Sequence, residues 1–133
     1  SYQATDDESR AVAASENNTL GLDAGVQGNS NREMLLWVLA QTAFLKESSA
    51  LAEIVQDKLN AALDLNNRGI KQAPFRVLMG ATMPAVLIEI GFISNPDEEK
   101  RLRDGAFKDR LAATIGDSVQ RFHDKFIRNQ APR

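Results

Sequence analysis

The sequence predicts an α/β protein, a three-layer sandwich with a mostly parallel sheet, of which this chain carries the C-terminal part. Three observations predict it. The run Val86-Leu87-Ile88-Glu89-Ile90, set between Pro84 and Gly91, is short and nearly all apolar, as in a strand buried on both faces. A second run, Phe75-Arg76-Val77-Leu78-Met79, opens behind Pro74 and reads as its neighbour. Two longer stretches, around Leu51–Leu63 and Phe107–Phe126, repeat apolar residues every three or four positions, as helices covering a sheet do. About two strands and their covering helices therefore fall within these residues.

In chain order, Thr5-Asp6-Asp7-Glu8 is a helix-start pattern, and the helix it opens runs to about Ser15, with Val12 and Ala13 inward. Residues 17–31 are rich in Asn, Gly and Ser, with Gly21, Gly25 and Gly28 as breakers, and read as a long loop. Met34–Ala40 is apolar nearly all round but far shorter than the roughly 20 residues that span a bilayer. It reads as a buried helix, or as one offered to a partner, with Trp37 filling core space or stacking on a sugar ring. Lys46-Glu47-Ser48-Ser49 opens a separate helix whose stripe is Leu51, Ile54, Val55, Leu59 and Leu63. Residues 64–72 form a polar turn containing Arg68, Gly69 and Lys71. Asn95-Pro96-Asp97-Glu98 starts a short helix that stops near Arg103. In it Asn95 caps, Pro96 takes the first helical position, and the acids face the positive helix end. The last helix presents Phe107, Leu111, Ile115, Val119, Phe122 and Phe126. Its His123 stands beside Asp124, the usual setting of a surface histidine, and residues 129–133 are expected to fray.

Glu89 has no packing reason to sit in a buried strand. A carboxylate taken from water without a partner costs several kcal/mol, so it must be paired, protonated, or placed where the strand opens on a cleft. Ligands of open α/β sheets bind beyond the carboxyl ends of strands, where a general base would be placed. A wet rim position or a structural ion pair is the alternative.

The two segments Asn67-Arg68-Gly69-Ile70-Lys71-Gln72-Ala73-Pro74-Phe75-Arg76-Val77-Leu78 and Met83-Pro84-Ala85-Val86-Leu87-Ile88-Glu89-Ile90-Gly91-Phe92-Ile93-Ser94-Asn95 resemble, in order and spacing, the zinc-dependent N-acetylmuramoyl-L-alanine amidases. The resemblance runs from about Ala4 to Phe122. It implies a peptidoglycan hydrolase that cuts the amide between N-acetylmuramic acid and the L-alanine of the stem peptide. It makes Glu89 the catalytic carboxylate and zinc the cofactor. Family members bind zinc through two histidines and a glutamate upstream of these motifs. A hydrolytic zinc site needs about three protein ligands and an open position, and His123 is the only histidine here. Residues 1–133 are thus expected to be the C-terminal portion of one catalytic domain, with the zinc ligands upstream. The resemblance further implies a periplasmic or extracellular protein of cell division, with a possible activator. In relatives the segment near 17–31 can fold over the active site, and Asp23 and Glu33 are the carboxylates there that could reach a metal. Lys71 and Arg68 could meet the carboxylates of a stem peptide. The rival expectation is a non-catalytic cell-wall or partner-binding module, or an inactive fragment.

Composition sets outer bounds. The chain of 133 residues is 43% hydrophobic and 26% charged, with a formal net charge of -2, which suits one ordinary globular domain and offers no basic footprint for nucleic acid. With no cysteine, disulfides and thiolate metal sites are excluded. No secretory signal stands at Ser1, and that start reads as a processed or truncated end. Strands left with an open edge predict poor solubility for these residues alone.

Overall fold

The computed structural model describes residues 7–19, 30–63 and 67–126. It corrects the expected fold class. Among the described residues there are four α-helices and one 3-10 turn, with no strand and no sheet. The helices are α1 (Asp7–Thr19), α2 (Ser30–Ala62), α3 (Pro96–Arg103) and α4 (Gly105–Phe126). The chain divides into two compact units, Ser1–Ser48 with Ile70–Leu87, and Ser49–Gly69 with Ile88–Arg133.

In the first unit, α1 begins with Asp7 and Glu8 at its positive end, where acidic side chains are stabilising. Asp7 also pairs with Arg10 one turn on. Ser9 and Ala13, four residues apart on one face, are buried. Ala13 packs in a small apolar cluster with Ala73 and Phe75, flanked by Val12 and Leu78. The helix extends past the expected stop at Ser15 because no glycine or proline interrupts it before Thr19.

Asn17, in the last turn of α1, explains why Phe75–Met79 is not a strand. Its Nδ2 donates to the Pro74 carbonyl at 3.2 Å, and its Oδ1 accepts from the Arg76 amide at 2.8 Å. One side chain thus satisfies two backbone groups that a strand would have offered to a ladder. The amides of Leu78 and Met79 turn back onto Phe75 and Arg76, at 3.1 and 3.0 Å. The result is a 3-10 turn over Arg76–Leu78.

The run after Pro84 is extended but forms no strand among the described residues. Apolar, β-branched residues bias the backbone toward extension. A strand also needs a neighbour in register, which a local run does not supply. At its start the Ala85 amide donates to Ser48 Oγ at 3.1 Å.

The two helices expected over 34–40 and from Lys46 are one helix, α2. The five residues between them contain no glycine or proline, so the polar Lys46–Ser49 group, read as a start, lies in the helix interior. Of the 17–31 loop, 17–19 close α1, 30 and 31 open α2, and 20–29, including Asp23, lie outside the described residues. The side chains of Glu33 and Trp37 lie outside them as well.

In the second unit, the C-terminal half of α2 withdraws Leu51, Val55, Leu59 and Leu63 from water, a four-residue spacing that draws one helical face. Asp104 caps α4, its Oδ1 accepting from the Phe107 amide at 2.7 Å. Along α4 the buried residues are Phe107, Leu111, Ser118 and Phe122. Val119, expected inside, is 51% exposed, and Ser118 takes the buried position at 0%. The exchange is possible because Ser118 Oγ donates to the Thr114 carbonyl at 2.7 Å, so no polar group is orphaned. Lys58 of α2 meets Asp117 of α4 at 3.6 Å. No described helix is long and apolar enough to cross a membrane.

The start of α3 follows its residues. Asn95 Oδ1 accepts from the amides of Asp97 and Glu98 at 3.0 and 3.3 Å, with Pro96 at the first helical position. Asn95→Ala is expected to cost about 1 kcal/mol, read as a lower denaturant midpoint at unchanged slope.

Candidate functional site

The stretch leading into α3 holds the chemistry. Exposure alternates along it, with Val86, Ile88 and Ile90 half-buried while Leu87 and Glu89 are exposed. An extended backbone turns successive side chains to opposite faces. Glu89 therefore shares its side with Leu87 and not with Val86, Ile88 or Ile90. The expectation of a strand buried on both faces is corrected: Glu89 stands on an extended segment and is exposed, as in the wet alternative.

Just beyond Glu89 the backbone is gripped. The Phe92 amide donates to Glu98 Oε2 at 2.6 Å. The other oxygen of that carboxylate faces Arg68 Nη2 at 3.5 Å. The Arg68 guanidinium lies 4.3 Å from the centre of the Phe92 ring, within the range of cation–π attraction. The Phe92 carbonyl accepts from the Asn95 amide at 3.0 Å, closing the turn into α3. Sequence reasoning gave Glu98 only a helix-end role, although its place three residues after Asn95 was a visible signal that it reaches backward.

The other named residues are placed as follows. Arg68 is engaged with Glu98 and Phe92. Lys71 pairs with Glu8 at 2.7 Å, so its charge is directed at α1. The Arg76 amide is held by Asn17. His123 is exposed, with Nδ1 3.5 Å from Asp124.

With this geometry in view, the sequence profile of the N-acetylmuramoyl-L-alanine amidases matches residues 11–121, and the chain belongs to that family of cell-wall amidases. It is 37% identical over 95 residues to the N-acetylmuramoyl-L-alanine amidase AmiC of Neisseria meningitidis, covering 71% of this chain and 23% of that protein. It is 33% identical over 99 residues to AmiA of Escherichia coli, covering 74% and 34%. To LytC of Bacillus subtilis it is 38% identical over 76 residues, covering 57% and 15%. The chain thus spans about a third or less of the length of these relatives.

The family is zinc-dependent. Among the described residues no three His, Cys, Asp or Glu side chains are grouped so as to hold a metal ion. The described residues do not fit zinc.

Proposed function

We propose that this chain is the C-terminal portion of the catalytic domain of a peptidoglycan amidase, and that Glu89 is its general base. The reaction is hydrolysis of the amide between N-acetylmuramic acid and the L-alanine of the stem peptide. Glu89 takes a proton from the attacking water and delivers it to the departing amine. Membership of the amidase family carries this reading. The exposure of Glu89 is the wet position that stands as the alternative to a cleft, so the base assignment rests on that membership.

The zinc ligands, on this proposal, belong to residues other than those described. The protein works in the periplasm or outside the cell during division, on peptidoglycan, with an activator as a further partner. The 133-residue chain dialysed against zinc should retain well under one ion per chain by elemental analysis. A stoichiometric ion would contradict that.

The activity itself is tested on the full-length protein with purified peptidoglycan. New free amino groups on L-alanine are expected among the products. New reducing sugar ends without them would instead mark a glycosidase. Co-sedimentation with sacculi without release of alanine amines would instead mark a non-catalytic wall-binding module.

A further inference from the structure

We propose that Glu98, held by Arg68 and admitted by Gly91, is a positioning residue for Glu89. This rests on the assignment of Glu89 as general base.

The ordinary role of a carboxylate at this place would be local. Three residues after an N-cap, a glutamate normally reaches back to the amide of the capping residue. Here the Asn95 amide is taken by the Phe92 carbonyl at 3.0 Å, and Glu98 reaches three residues further, to the Phe92 amide at 2.6 Å. It therefore ties α3 to the segment bearing Glu89. The bond is short and charge-assisted, the stronger class of hydrogen bond. The Glu98 side chain is only 19% exposed, so competition from water is limited.

Gly91 makes the approach possible. A Cβ at position 91 would lie 2.9 Å from Glu98 Oε2, closer than carbon and oxygen tolerate, and would push the carboxylate off the Phe92 amide. Arg68 completes the grip from the other side, through its 3.5 Å approach to Oε1 and its position over the Phe92 ring.

Between the Glu89 Cα and the fixed Phe92 amide only ψ of Glu89 and the backbone rotations of Ile90 and Gly91 intervene. Glycine is the most permissive residue at such a place, and an untethered Gly91 would be a hinge. Tethering Phe92 removes that freedom. A misplacement of about 1 Å in a reacting group can cost roughly 10²-fold in rate, so a tether three residues away is enough to matter.

The test uses the full-length protein with Glu98→Gln, Gly91→Ala and the control Glu99→Gln. Glu99 sits beside Glu98 but pairs with Arg103 at 2.6 Å, within α3. Glu98→Gln and Gly91→Ala should each lower kcat about tenfold or more while KM stays within about twofold. Both should speed hydrogen exchange at the Phe92 amide, a readout independent of turnover, and Glu99→Gln should do neither. Gly91→Ala keeps every charge, so it carries the test if Glu98→Gln folds poorly. An unchanged Phe92 amide, or an unchanged kcat in both variants while Glu89→Gln is inactive, overturns the positioning role and leaves the base assignment standing. Full turnover by Glu89→Gln removes the base, and the positioning role with it.

Discussion

Glu89→Gln in the full-length protein lowers kcat by about 10²–10⁴-fold, the usual worth of a general base. Glutamine keeps the size of the side chain and most of its hydrogen bonding but cannot take a proton. The loss therefore falls on the chemical step, and KM moves little. Glu89 is exposed, so the substitution opens no cavity, and any stability loss should be small beside the kinetic one. Thermal melts run beside the kinetics separate the two effects. A variant with near-normal turnover, or one that loses turnover only because it unfolds, would remove Glu89 from the mechanism.

The largest effect on stability is expected at Phe122. It is 8% exposed and stacks on Phe126 with ring centres 4.8 Å apart. Truncation to alanine removes both the buried area and the ring contact, a cost of about 3–5 kcal/mol. Stabilities of single domains run at about 5–15 kcal/mol, so Phe122→Ala takes a large share of the total. Val119→Ala is the companion measurement. The spacing of α4 in sequence made Val119 a core residue, whereas the structure leaves it 51% exposed, and its truncation should stay within about 0.5 kcal/mol. Denaturant titration of both variants decides the register of α4. Equal losses at the two positions would restore the stripe read from spacing alone.

That contrast shows where sequence was informative. Features carried by local chemistry were legible. Asn95 and Pro96 start α3 as their side chains dictate, and the four-residue spacing of Leu51, Val55 and Leu59 marks a buried helical face. Features that depend on distant partners were not. The strand expected over Phe75–Met79 is displaced by Asn17, 59 residues away along the chain from the Arg76 amide it binds. Nothing in the run itself announces that partner. Ser118 enters the buried stripe because its hydroxyl is satisfied inside its own helix, a solution that hydropathy does not register. The join between the two expected helices of α2 was misplaced because polar residues were read as a break where no glycine or proline stands.

The candidate site divides along the same line. Glu89 was legible as a carboxylate out of keeping with its apolar neighbours, and family likeness gave it a role. Its exposure was not, because burial follows from what lies beside a segment and not from its composition. The grip on Phe92 was half legible. The spacing of Asn95 and Glu98 marked a reach backward, while the contribution of Arg68, 30 positions earlier, required the coordinates.

The most direct test of the central claim is the pH dependence of kcat/KM for the full-length protein and its Glu89→Gln variant. A carboxylate acting as base must shed its proton first, so the wild-type rate should climb with pH along an acidic limb. In the variant the residual rate should lack that limb. If the limb persists unchanged after the substitution, the ionisation that governs turnover belongs to some other group, and Glu89 is not the base.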